Sequence, residues 1–212
     1  VIFDLDGVLM NSEWLAFLVW RQWTEDHQGQ LPDSAFLEMV GTSAEETAEY
    51  IMKSAGITFD MQESLDWTWK ELIRRIKVHI EAMPGALDLI DFLSKRGYPM
   101  AVASNSLSSY IEAALTGLNL LQYFPIRVGI DQVKYGKPAP DVFLRAAEQL
   151  SAAPHQCLVF EDSRVGVQAA TSAGMRVIAV PTDSDWADNF ANAWKTFPSL
   201  VTVMNNLDTL LA

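Results

Sequence analysis

The sequence predicts an α/β protein, a doubly wound, Rossmann-like parallel sheet with an inserted all-helical domain. Three observations carry this. Short apolar runs alternate with segments of helical length, the pattern of βαβ units. The runs are continuously apolar rather than alternating, as strands covered on both faces must be. One stretch of about 70 residues, from Ser12 to Glu81, breaks the alternation and reads almost wholly as helix.

The strand readings, in order, are Val1–Phe3, Pro99–Ala103, Ile126–Gly129, Cys157–Phe160, Arg176–Val180 and Leu200–Val203. Between them, Ala86–Lys95 is closed by Gly97, Ser108–Thr116 by Gly117, Ala139–Leu150 follows a proline start, and Val165–Ala173 ends at Gly174. Inside the interruption, Glu13–Gln28 carries Trp14, Leu15, Leu18, Val19 and Trp23 at helical spacing, and Gln62–Ile80 does so with Leu65, Trp69, Leu72, Ile73 and Ile76. Five of the seven Trp residues lie there, and such a stripe reads as bundle core before it reads as a ligand platform. The segment leaves after the first strand and returns before the second. The expected division is therefore a core domain of residues 1–11 and 83–212 with a helical cap, residues 12–82, at the mouth of the sheet.

Half of the 212 residues are hydrophobic, enough for a substantial core. A formal net charge of −12 argues against a nucleic-acid partner, whose phosphates the protein's own field would repel. The same field repels any small anion, so an anion site must be made locally positive by a metal ion or a few placed Lys and Arg side chains. No apolar run approaches the roughly 20 residues that span a bilayer, and the N-terminus lacks the basic-then-apolar layout of a signal peptide. The expectation is a cytoplasmic protein that engages no membrane, as a monomer or weak homodimer. The numbering opens within the apolar run Val1-Ile2-Phe3, so a few residues are expected upstream. The single Cys157 allows neither an internal disulfide nor a thiolate zinc cluster, and in the run Cys157-Leu158-Val159-Phe160 it reads as a buried, inert thiol.

The first strand runs into Phe3-Asp4-Leu5-Asp6-Gly7-Val8-Leu9. Carboxylates at i and i+2 after an apolar strand raise each other's pKa unless a cation compensates, and a divalent metal is the obvious one. Asp4 can offer one oxygen to the metal and the other to a phosphorus atom. Asp6 can turn toward a leaving-group oxygen if Gly7 lets the chain leave the strand sharply. Such a motif alone also occurs in calcium loops and ordinary turns. Three others follow. In Ala103-Ser104-Asn105-Ser106 a hydroxyl and the next N–H can hold a phosphate oxygen, although a serine there also serves as a helix cap. In Gly136-Lys137-Pro138-Ala139-Pro140-Asp141 the ammonium of Lys137 precedes a proline-initiated helix, and the prolines set it apart from a surface lysine. In Val159-Phe160-Glu161-Asp162-Ser163 two adjacent acids follow a buried strand; the helix dipole would account for Asp162 but not for both.

Four motifs in this order, each at a strand end, resemble those of the haloacid dehalogenase-like hydrolases, in particular the helical-cap subgroup of sugar phosphatases and β-phosphoglucomutase-like proteins. The resemblance covers essentially the whole chain. It implies a Mg²⁺-dependent phosphatase in which Asp4 attacks phosphorus to form an aspartyl phosphate that water then cleaves. Asp6 would protonate the leaving oxygen and later deprotonate the water. The resemblance assigns Mg²⁺ to Asp4, the backbone carbonyl of Asp6, Glu161 and Asp162, and the phosphate oxygens to Ser104, the Asn105 amide and Lys137. Relatives that cleave carbon–halogen or carbon–phosphorus bonds lack an acid at the position of Asp6, so Asp6 implies phosphate esters. The cap implies a small phosphorylated partner, most simply a sugar phosphate. Cap contacts are expected around Gly41, Thr42 and Ser43, with Lys70 preferred among the basic residues Lys70, Arg74, Arg75 and Lys77, which otherwise read as solvated charges. Two departures stand out: Asn11 where relatives usually carry Asp, and Ala16 where hexose-phosphate mutase relatives carry His. The alternatives are a β-phosphoglucomutase-like sugar phosphomutase, against which Ala16 speaks, and a non-catalytic metabolite-binding module, against which the intact acids speak.

Overall fold

A computed structural model describes residues 1–39, 42, 44–78, 80–181 and 190–210. Six strands, β1 (Ile2–Phe3), β2 (Ala101–Ala103), β3 (Ile126–Val128), β4 (Leu158–Glu161), β5 (Arg176–Ala179) and β6 (Lys195–Thr196), form one sheet in the order β3-β2-β1-β4-β5-β6. Every pairing is parallel. The central strand is the first in sequence: Ile2 pairs with Ala101 and Val159, and Phe3 with Val102 and Phe160. Strand order reverses between β1 and β4, and in such sheets the crevice beyond the carboxyl ends at this reversal receives ligands.

The strands form because their side chains are buried on both faces. β1, β2 and β4 are buried throughout, and Phe3 stacks on Phe160 at 5.0 Å and meets Phe124 edge-on at 5.6 Å. Each fully buried Phe, Leu or Val contributes about 1.5–3 kcal/mol. The crossover helices are α5 (Ala86–Lys95), α6 (Ser108–Gly117), α7 (Asp141–Gln149) and α8 (Arg164–Ser172). Gly97 and Gly174 take left-handed positions just past α5 and α8. After α6 that position is filled by Asn119 at φ 57°, while Gly117, expected to close the helix, is its last residue.

One strand reading is corrected. Leu200–Val203 lies in a short helix, Leu200–Met204, because Ser199 caps it by accepting from the Thr202 N–H at 3.2 Å. Leu200 and Val203 are then buried at i and i+3, as one helical face requires. The sixth strand is Lys195–Thr196, which is not apolar and joins through its backbone beside Ile178 and Ala179.

The chain divides into two compact units, Val1–Asn11 with Glu81–Ala212, and Ser12–Ile80. The sheet and its helices make up the first, where Cys157 is buried at 2 % exposure and its thiol is pushed up in pKa chiefly by burial. The second contains α1 (Ser12–Asp26), α2 (Phe36–Met39), α3 (Ala44–Ala55) and α4 (Met61–Ile76). Asp60 caps α4 by accepting from Glu63 N–H at 2.8 Å. Phe17, Trp20, Trp23, Met39 and Ile51 belong to its core. The tryptophan stripe is divided: Trp20 and Trp23 are core, whereas Trp14 and Trp69 remain 40 % and 37 % exposed. No helix among the described residues is long and apolar enough to cross a membrane.

Candidate active site

Strand ends deliver the acids. β1 stops at Phe3, so Asp4 is the first residue beyond the sheet; β4 ends on Glu161 with Asp162 next; Ser104 follows β2. Lys137 arrives from the segment before α7, and its Nζ donates to Asp4 Oδ1 at 2.5 Å and to Glu161 Oε1 at 2.6 Å. All three are buried, with 6 %, 9 % and 0 % exposure for Asp4, Lys137 and Glu161. Burial alone would lower the pKa of Lys137, but the carboxylates of Asp4 and Glu161 more than offset it and hold the ammonium above its ordinary pKa. Burial raises Asp4 to about 7, with Lys137 pulling it back and the charges of Glu161 and Asp6 pushing it further up. A single ammonium does not neutralise the acids gathered here.

Glu161 is fixed at its other oxygen. Oε2 accepts from the Ser163 N–H at 2.8 Å and the Ser163 hydroxyl at 2.9 Å. Its carboxyl group lies against Gly166 of α8, where a Cβ would stand 1.7 Å from Oε1 and 1.9 Å from Cδ.

Asp4, Glu161 and Asp162 each offer an oxygen, and these oxygens lie within 4.8 Å of one another, an acidic cluster that could hold a metal ion. The donor set is all carboxylate oxygen, which suits a hard divalent cation. Burial, followed by the charges of Glu161 and Asp4, pushes Asp162 well above the usual carboxylate range, the cost a cation would remove. Asp162 reaches the cluster across Gly7, which has φ 72° and whose Cβ would lie 1.9 Å from Asp162 Oδ2. The Asp6 carboxylate points elsewhere: Oδ2 accepts from Ser106 Oγ at 3.1 Å and Oδ1 from Tyr110 Oη at 3.0 Å.

Ser104 is buried, and its Oγ accepts from the Ser106 N–H at 3.0 Å, a local turn that leaves the hydroxyl hydrogen as a donor. Asn105 has a role the sequence did not reveal. Its Oδ1 accepts from the Lys137 N–H at 2.7 Å and its Nδ2 donates to the Lys137 carbonyl at 3.2 Å, clasping the peptide that carries the lysine. The contacts of Ser106 and Tyr110 with Asp6, and of Ser163 with Glu161, were likewise not read from the sequence. The signal for Tyr110 is slight: a polar-tipped aromatic beside the buried Ile111, Ala114 and Leu115 of α6.

In the helical unit, Gly41 and Ser43 lie outside the described residues. Thr42 Oγ1 donates to the Met39 carbonyl and shares a hydrogen bond with Thr47 Oγ1, each at 2.8 Å. Thr42 lines a cavity of about 480 Å³ with Ala16 and the rings of Phe17, Trp20, Phe36 and Trp69. Lys70 is exposed on α4 and is not among the described residues lining that cavity. Arg74 and Arg75 are both engaged by Glu71, at 2.6 and 2.7 Å.

The family described as haloacid dehalogenase-like hydrolase matches residues 1–180. The phosphorylated carbohydrates phosphatase of Thermotoga maritima is 32 % identical over 178 residues, covering 84 % of this chain and 82 % of that protein. The fructose-1-phosphate phosphatase of Escherichia coli is 34 % identical over 181 residues, 85 % of this chain and 95 % of that protein. The bifunctional riboflavin kinase/FMN phosphatase of Arabidopsis thaliana is 33 % identical over 96 % of this chain, but the chain spans only 54 % of it. Among solved structures, a candidate β-phosphoglucomutase from Thermotoga maritima superposes with a TM-score of 0.85 at 28 % identity, over 98 % of this chain and 97 % of that one. A hydrolase from Deinococcus radiodurans with bound phosphate and sodium gives 0.79 at 25 % identity, over 98 % and 94 %.

Proposed function

Because this chain belongs to the haloacid dehalogenase-like hydrolases and is a phosphoric monoester hydrolase acting on phosphorylated metabolites, we propose that it dephosphorylates a small sugar phosphate through an aspartyl-phosphate on Asp4. The observation that carries this reading is the buried Lys137 bridge between Asp4 and Glu161, beside an Asp6 carboxylate turned toward hydroxyl groups.

In the first half-reaction a carboxylate oxygen of Asp4 bonds to phosphorus as the ester P–O bond breaks, and Asp6 gives a proton to the departing oxygen. In the second, Asp6 takes a proton from water, whose oxygen displaces the Asp4 carboxylate from phosphorus. Lys137, tethered by Asn105 and Glu161, supplies fixed positive charge to the phosphoryl oxygens, and Ser104 and the Asn105 N–H donate to them. Mg²⁺, held by Asp4, Glu161, Asp162 and the Asp6 carbonyl, would neutralise phosphate charge. Selection among phosphorylated substrates is assigned to the helical unit, with Thr42 and Lys70 as its candidate contacts. Relatives named for carbohydrate and fructose 1-phosphate hydrolysis support the sugar-phosphate class.

The mutase alternative gains nothing from the helical unit, where Ala16 contributes only a methyl group to the cavity lining. The test is a panel of sugar phosphates and nucleotides assayed for released phosphate, with the phosphorus NMR signals of substrate, isomer and free phosphate followed together. Inorganic phosphate should appear without isomer and without added bisphosphate, and chelation should abolish turnover until Mg²⁺ is restored. Isomer forming faster than phosphate would overturn the hydrolase reading, and full activity in excess chelator would overturn the metal assignment.

A further inference from the structure

Asp6 is held by two hydroxyls that differ in kind. Tyr110 donates to Oδ1 at 3.0 Å from a ring that is only 3 % exposed and is carried on the first turn of α6. Ser106 donates to Oδ2 at 3.1 Å from a half-buried loop position. A serine hydroxyl rotates freely to donate or accept, whereas the phenol's position is set by its packed ring. We infer that Tyr110 is a positioning residue for the proton transfers: it anchors Asp6 Oδ1 and so leaves Oδ2, under the adaptable Ser106 hydroxyl, as the oxygen that exchanges the proton.

This inference rests on the reading of Asp6 as acid and base given above. In the first half-reaction the Oδ2 proton passes to the ester oxygen, which takes the electron pair of the breaking P–O bond; Asp6 is left as carboxylate and Ser106 donates to Oδ2. In the second, water gives a proton to Oδ2 as its oxygen bonds to phosphorus, and Ser106 turns to accept. Tyr110 donates to Oδ1 throughout. A proton on Oδ1 would face the phenolic hydrogen, so the anchor also selects which oxygen is protonated.

Tyr110→Phe removes one oxygen and keeps the ring. Assistance from a general acid matters more the more basic the leaving oxygen, and nitrophenolate departs with little help. The experiment measures kcat/KM, which reports through the first P–O cleavage, for phenyl phosphates running from p-nitro to p-methoxy and for alkyl phosphates. Tyr110→Phe is expected to leave p-nitrophenyl phosphate within about twofold while alkyl esters lose about tenfold, a fraction of the roughly 10²–10⁴-fold that general acid catalysis supplies. The ratio between esters is internal to each variant, so a partly inactive preparation does not change it. Asp6→Asn should show the same selectivity more strongly, and Tyr110→Phe should add nothing in that background. An equal loss across all esters, or effects that multiply with Asp6→Asn, would overturn the role of Tyr110. If Asp6→Asn is selective and Tyr110→Phe is not, the inference alone falls. If Asp6→Asn lowers every ester equally, the acid–base reading of Asp6 falls and takes the role of Tyr110 with it.

Discussion

Replacing Gly166 by alanine sets two physical effects against each other with opposite signs. Gly166 sits in the first turn of α8 without a positive φ, so helix propensity alone makes alanine stabilising by about 1 kcal/mol. The added Cβ would, however, stand 1.7 Å from Glu161 Oε1 and 1.9 Å from its Cδ, far inside contact distance. Overpacking of this kind costs about 1–3 kcal/mol. Glu161 has little room to yield, because it is fully buried and tied to Lys137 Nζ, Ser163 N and Ser163 Oγ. Losing even one of these charged hydrogen bonds adds about 1.5–3 kcal/mol. The balance is a destabilisation of roughly 2–5 kcal/mol, which in a chain of this size lowers Tm by roughly 5–20 °C. Thermal and denaturant melts of the parent, Gly166→Ala, Glu161→Ala and the double variant would read it out. In the Glu161→Ala background the clash is gone and Gly166→Ala should become neutral or stabilising. A Gly166→Ala protein that melts at or above the parent refutes the reasoning, as does a cost that persists without Glu161.

Asp4→Asn is expected to keep the fold and lose at least about three orders of magnitude in kcat, the usual consequence of removing a covalent nucleophile. Phosphate release above about 1 % of the parent rate would remove Asp4 from that role. Metal-free protein should lose stability as pH rises from about 4 to about 7, and the loss should level off above that. Burial first of all lifts Asp4 to about 7, against 3.8 for the ordinary group, so through that window the folded protein retains a proton that the unfolded chain has released. Metal binding demands the carboxylate form, so the gain in Tm on adding Mg²⁺ should grow between pH 5 and 8. A gain that is flat with pH, measured by calorimetry in matched buffers, would count against Asp4 as a ligand.

What could be read from the sequence was what depends on neighbours in the chain. Asp4, Ser104 and Glu161 stand at strand ends because apolar runs of three or four residues immediately precede them, and those runs are visible by inspection. Where an apolar run was too short to distinguish helix from strand, the reading failed: Leu200–Val203 became a helix once Ser199 capped it. Lys195–Thr196 gave no signal, since an edge strand two residues long is defined by its partner's backbone. The supports of the site were equally hidden. The clasp of Asn105 on Lys137 joins residues 32 apart in sequence, and the bond from Tyr110 to Asp6 spans 104, so neither leaves a mark in local pattern. The exposure of Trp14 and Trp69 follows from which face of each helix meets the bundle, which spacing alone does not fix.

The central place of β1 has a consequence for how the protein is made. Its two residues leave the ribosome before their partners, which are Ala101 and Val102 on one side and Val159 and Phe160 on the other. At about 5–20 residues per second the second partner follows roughly 8–30 s later. The helical unit Ser12–Ile80 draws its contacts from one continuous segment and needs none of that delay. The strand that leads into Asp4 stays unpaired on at least one edge until both flanking strands exist. Lys137 and Glu161 emerge in the same interval, so a nascent chain that stops before Glu161 lacks the second acid that holds the Lys137 ammonium against Asp4.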